Sequence, residues 1–217
     1  MARNPNRKIV APSDPETPMG AEERILRAAI DLFLAEGFER TTIERVAKIA
    51  MVSKATIYGL HASKEALFAG ALTHACTRIR AAAPVGGGAG IEALRASLFL
   101  FGMDFLSMMW RPETVRLRRV VALEAVRYPV VATAFLEAGP RRVCLALAER
   151  LAEGVEAGAL RPHDTFKAAD RFLASLMGIP DLEITMGLKA PMEEPERRDH
   201  VNLAVSLLLE GLKAPAT

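Results

Sequence analysis

Apolar residues near the start of the chain fall into short helical groups and not into one long stripe. From Ala21 to Glu36, Ile25, Ala29, Leu32 and Phe33 recur every three or four residues, which predicts an amphipathic helix. Glu22 and Glu23 lie in its first turn, where they complement the helix dipole, and Gly37 is placed to end it in a left-handed cap. Beyond Thr41 the spacing changes. Val46, Ala50, Val52, Ile57 and Leu60 stand four, two, five and three apart, which no single helix accommodates. Two helices whose inner faces meet across a bend do accommodate it, with Val52 in the bend and the small Ala47 where the helices approach. That is the internal pattern of a helix-turn-helix, whose second helix is free to enter a major groove. Thr41-Thr42-Ile43-Glu44 reads as a capping box, with Thr41 accepting from the Glu44 amide. Ser53 and Ser63 are expected to cap the two helices that follow.

Further on the pattern is that of a second, larger helical unit. Lys64 to Ala82 reads as a long helix, and the run from Pro84 to Gly90 as a flexible break. Ile91 to Trp110 is apolar on two faces, so it is expected to be buried or to line a cavity. Leu98, Phe101, Phe105, Met109 and Trp110 from this helix, with Phe172 and Leu176 from a later one, are the candidate walls of an apolar ligand pocket. Glu113 to Tyr128 carries Arg116, Arg118, Arg119 and Arg127, the pattern of a solvated face. Pro129 and Pro140 each suit a first helical turn and divide off Pro129–Ala138 and Pro140–Ala157; Asp164 can cap the helix after a loop. Two late segments, Phe166 to Gly178 and Glu196 to Leu212, read as an interface. Its candidate residues are Phe172, Leu173, Met177, Val201, Ala204, Val205, Leu208 and Leu212, with Leu203 and Leu207 widening the last stripe.

Composition narrows the class. Of 217 residues, 51% are apolar and no period-two alternation is sustained, so the fold class is all-α. The expected division is an arm over 1–20, a three-helix helix-turn-helix domain over 21–70, and a larger helical ligand-binding and dimerisation domain over 71–217. The arm holds four prolines with Arg3, Arg7 and Lys8, and either reaches a minor groove or simply solvates the chain. Charge is concentrated: from Arg40 to Lys64 five basic residues face Glu44 alone, a net +4 against +2 for the whole chain. A phosphate-binding face needs such a local field. Cys76 and Cys144 form no metal or redox motif and read as reduced, buried thiols in a cytoplasmic protein, with a redox pair as the alternative. The first twenty residues hold no apolar run of a signal peptide, and no segment is apolar enough to span a membrane. His61, His74, His163 and His200 are scattered without zinc spacing or a nucleophile–base pair, so neither an enzyme, a metal site nor a cofactor is expected.

Leu32-Phe33, Gly37-Phe38, Thr41-Thr42-Ile43, Ile49-Ala50, Val52-Ser53-Lys54, Thr56-Ile57-Tyr58 and Ser63-Lys64-Glu65-Ala66-Leu67-Phe68 resemble, in that order, the DNA-binding domain of TetR/AcrR-type repressors. The resemblance covers roughly residues 21 to 70, and the pattern from Leu117 to Gly178 resembles the AefR-like variety of ligand-binding domain. Two positions depart from the family: Met51 stands where Gly is usual in the turn, and Gly59-Leu60-His61 follow the Tyr in place of aromatic or His residues. The resemblance implies a homodimer on a palindromic double-stranded DNA operator, and a small apolar or amphipathic ligand that alters binding. It also implies residue roles: Lys54 and Ala55 at base edges, with Thr42, Ser53, Thr56, Tyr58 and Lys64 at or near phosphates. A helical carrier or scaffold without DNA binding is the alternative, and the +4 stretch argues against it.

Overall fold

A computed structural model describes residues 20–78, 88 and 90–213 of the chain, with side chains placed except at 77 and 78. The expected arm over 1–19 and most of the glycine-rich break lie outside the described residues. The described residues form ten helices: α1 Ala21–Glu36, α2 Ile43–Ala50, α3 Lys54–Leu60, α4 Lys64–Arg78, α5 Ile91–Met109, α6 Pro112–Glu124, α7 Pro129–Ala138, α8 Pro140–Glu156, α9 Thr165–Met186 and α10 Glu194–Leu212. The class is all-α, and none of these helices is long and apolar enough to cross a membrane.

The first hydrophobic cluster is built around α1. Ile25, Ala29, Leu32 and Phe33 are buried there against Val46, Ala50 and Ile57 from α2 and α3 and against Leu67, Phe68 and Leu72 from α4. The Phe33 and Phe68 rings lie 4.3 Å apart and Phe38 stacks on Phe33 at 5.6 Å, aromatic contacts worth about 0.5–1.5 kcal/mol each beyond their burial. The cluster does not stop at the end of the helix-turn-helix. It takes in Cys76 from α4, Leu117 and Val121 from α6, and Val131 and Ala138 from α7. The second cluster fills the space between α5, α8, α9 and α10. Gly102 permits the close approach of α5 to α10, since a Cβ there would lie 2.7 Å from Val201 Cγ1.

Three local expectations are corrected and a fourth is extended. Thr41 does not cap α2; it is buried and its hydroxyl donates to the Gly37 carbonyl at 2.9 Å, while Thr42, one residue on, accepts from the Arg45 amide. Leu60, expected inward, is half exposed because α3 ends there and only Ile57 reaches the core. Helix α6 stops at Glu124, not Tyr128, because Pro129 holds the preceding residue out of the helical region: Tyr128 has φ −126° and ψ 80°. Finally, the helical segment expected over Phe166 to Gly178 does break at Gly178, but a further helical stretch that the pattern did not mark follows it. That glycine turns the chain with φ 51° and ψ −153°, a conformation open to glycine, and Pro180 then starts a further stretch to Met186.

Candidate DNA-binding face and ligand cavity

The bend between α2 and α3 is fixed by backbone geometry. Met51 takes the left-handed conformation, φ 54° and ψ 51°, and its amide and that of Val52 close the end of α2 on the Ala47 and Lys48 carbonyls. Arg24 of α1 donates from Nε to the Ala50 carbonyl at 3.1 Å, holding the same helix end from the other side. Ser53 caps α3: its hydroxyl accepts from the Thr56 amide at 3.0 Å and pairs with the Thr56 hydroxyl at 2.8 Å. With Ile57 buried, the outer face of α3 presents Lys54, Ala55 and Tyr58, the last 52% exposed. Thr42 lies exposed at the start of α2.

Two lysines differ in what they touch. The Lys54 ammonium lies 2.8 Å from the Glu44 carboxylate, and the pair shifts both groups toward their charged forms, the lysine up and the glutamate down. Both side chains are open to solvent, so the pair is loose and can exchange for a phosphate or a base edge. Lys64 instead reaches over the Phe38 ring at 4.4 Å and donates to the Glu39 carbonyl at 3.2 Å. It clips α4 to the α1–α2 turn.

That turn is also the joint with the rest of the molecule. Glu124, the last residue of α6, accepts from the Phe38 amide at 3.1 Å. Tyr128 donates its hydroxyl to Glu39 at 2.8 Å, and its ring lies 4.2 Å from that of Phe38.

Behind this joint lies an apolar cavity of about 530 Å³, walled by α4, α5, α6, α7, α8 and α9. Of the pocket residues expected from sequence, the cavity includes Phe105 and Met109. Leu98, Phe101, Trp110, Phe172 and Leu176 are buried in the second cluster and do not line it, because their faces of α5 and α9 pack against neighbouring helices. Two residues expected at an interface, Leu173 and Met177, line the cavity. The sequence reading missed Cys76, Thr114, Arg118, Phe135 and Cys144. The signal for two of them was present: Thr114, Leu117 and Arg118 are three and four residues apart and so share one face of α6. Arg118, taken for part of a solvated run, is largely buried. It donates to both oxygens of Asp181, at 2.8 and 2.5 Å, and Trp110 Nε1 donates to the same carboxylate at 3.1 Å. Burial pushes the Cys76 thiol up to about 11 and raises Cys144 as well, so both are neutral at pH 7, unlike the low-pKa thiolates of redox sensors. Among the described residues no group of His, Cys, Asp or Glu could hold a metal ion.

The remaining interface candidates divide by burial. Phe172, Val201, Ala204 and Val205 are buried in this chain's own second cluster, and Leu208 and Leu212 pack half-buried against it. Those six face inward because α10 packs that side against α5 and α9. Exposed apolar residues on these helices are Leu203 and Leu207 of α10, and Ile179, Leu182 and Met186 after the kink in α9, the last beside α6 and α7.

Comparison with known proteins agrees with this architecture. Residues 25–71 match the family described as bacterial regulatory proteins, tetR family, and residues 96–211 match the AefR-like transcriptional repressor, C-terminal domain. The solved structure of the Flavonoid-responsive Regulator FrrA is 32% identical, with a TM-score of 0.78 over 90% of this chain and 98% of that one. A TetR-family regulator of Mesorhizobium loti MAFF303099 shares the fold, at 22% identity and a TM-score of 0.76 over 89% of this chain and 97% of that one. The uncharacterized HTH-type transcriptional regulator YdeS of Bacillus subtilis (strain 168) is 46% identical over 48 residues, which is 22% of this chain and 24% of that protein's length. Helix-turn-helix, cavity-bearing helical body and both family matches together make this chain a member of the TetR family of DNA-binding transcriptional regulators, with an AefR-like C-terminal domain.

Proposed function

We propose that the chain is a ligand-responsive repressor that binds a palindromic operator as a homodimer and changes its hold on DNA when a small molecule fills the cavity. In this reading Lys54 and Ala55 meet base edges, while Thr42, Ser53, Thr56 and Tyr58 meet phosphates. Lys64 contributes charge near the backbone and holds the domain together. The observation that carries the ligand response is the shared wall. Cys76 and Leu117 line the cavity and also belong to the cluster that surrounds the helix-turn-helix, so a molecule between them presses on α4 and α6 directly. The cavity volume, about 530 Å³, falls within the usual range of small-molecule sites, ~300–1,000 Å³. A ligand that fits the cavity differently in the DNA-competent and incompetent arrangements shifts their populations.

The structural relative FrrA is named for a response to flavonoids, so a flavonoid is the first effector to try. The test is a footprint on DNA upstream of the protein's own gene, followed by fluorescence anisotropy with and without a flavonoid series. The expected footprint covers two half-sites about one DNA turn apart. Protection of no sequence over bulk DNA would defeat the operator reading, and the helical carrier without specific DNA binding would take its place.

A further inference from the structure

Thr114 is the cavity's one feature that packing does not explain. It is 4% exposed, lines the cavity, and its hydroxyl has no hydrogen-bond partner among the described residues. A buried hydroxyl left this way destabilises the fold, and valine would fill the same volume without that penalty. One turn along the same face of α6 stands Arg118, whose charge Asp181 already balances on both oxygens. Arg141, also on the cavity, pairs with Glu137, and Asp170 lies 3.9 Å from Arg171. The buried charge of Arg118 is therefore already compensated by Asp181, while Arg141 and Asp170 sit in exposed pairs that offer little to a charged ligand stripped of water. The remaining surface is apolar, with aliphatic side chains such as Leu117, Val143 and Leu173 beside rings, thioethers and neutral thiols, including Phe105, Phe135 and Met177.

We propose that the cavity takes a neutral, ring-bearing ligand whose hydroxyl or carbonyl oxygen hydrogen-bonds the Thr114 hydroxyl, and that it discriminates against carboxylates. This rests on the reading of the cavity as the effector site. A threonine hydroxyl both donates and accepts, so it suits either oxygen, and it gives the otherwise apolar cavity a fixed point that orients the ligand.

Three probes on one carbon skeleton test it by isothermal titration calorimetry on the full-length protein at pH 7: biphenyl, 4-phenylphenol and biphenyl-4-carboxylate. The wild type is expected to bind the phenol most tightly and the carboxylate least. Thr114→Val should weaken the phenol about five- to tenfold and leave biphenyl unchanged, while the ligand-free protein melts ~2–4 °C higher. Thr114→Ser, which restores the hydroxyl, should keep the preference for the phenol. A phenol-to-biphenyl ratio unchanged by Thr114→Val, or tightest binding of the carboxylate, overturns the proposal and leaves the cavity as an effector site. If none of the three probes binds the wild type, the effector reading falls and this proposal with it.

Discussion

At the scale of single residues, Met51 stands in the place of a turn glycine and bears the cost. Its left-handed conformation disfavours any side chain by about 1–2 kcal/mol, and at 79% exposed it gains little from packing in return. Part of that penalty is recovered because methionine restricts the unfolded chain more than glycine does. Met51→Gly should therefore stabilise the protein by about 0.5–1 kcal/mol, read as a rise of ~1–4 °C in melting temperature. A clear fall would mean that the methionine side chain contributes more than its exposure allows. The strained position was legible from the family pattern alone. The neighbouring cap was not: Thr41 and Thr42 satisfy the same local rule, and only the Gly37 carbonyl, brought close by the turn before them, decides which hydroxyl is left for α2.

The two lysines divide reading from holding at the same scale. Lys54→Ala should cost about 1–3 kcal/mol at the cognate operator and relax preference at one base position per half-site. Lys64→Ala should lower affinity for cognate and scrambled duplexes alike and also lower thermal stability, since it removes the clip over Phe38 and Glu39. Anisotropy across a salt series with both duplexes, beside a melting curve, separates the two. If Lys54→Ala weakens both duplexes equally, Lys54 touches only backbone and the reading passes to Ala55 and its neighbours.

Among elements, the joint between α6 and the α1–α2 turn is the part that local pattern could not reveal. Glu124 and Phe38 are 86 residues apart, and no periodicity links them. Helix starts were legible at Pro129, Pro140 and Asp164, where a proline or a capping side chain marks them. The continuation of α9 was hidden by Gly178, which reads as a stop, although Pro180 two residues on is a start signal. Glu124→Ala would leave the Phe38 amide without its carboxylate partner. It should cost about 1–2 kcal/mol in denaturant unfolding and reduce the change in operator affinity that an effector produces. Unchanged coupling in anisotropy titrations with and without effector would move the connection to α4 and Cys76.

For the whole molecule, the question is which face of α10 meets a second copy. The sequence marks this helix as too apolar for solvent but offers two apolar faces, and nothing local distinguishes them. Packing does: Val201, Ala204 and Val205 are enclosed by α5 and α9 of the same chain, which leaves Leu203 and Leu207 outside. Leu203 and Leu207, four residues apart and both exposed on one face of α10, suit a symmetric, self-complementary contact. Two substitutions on adjacent faces separate the possibilities. Val205→Glu places a carboxylate where the side chain is only 1% exposed, at a cost of several kcal/mol, and should unfold the domain. Leu207→Glu, at a position 65% exposed in the single chain, should leave helix content unchanged by circular dichroism and halve the mass in sedimentation equilibrium. Because a palindrome is held by two recognition helices at once, the folded monomer should also lose most of its operator affinity while keeping its weaker hold on bulk DNA. A Leu207→Glu protein that still sediments as a dimer and binds the operator as before would place the contact on another surface, with the exposed Leu123 and Val126 at the end of α6 as the next site to substitute.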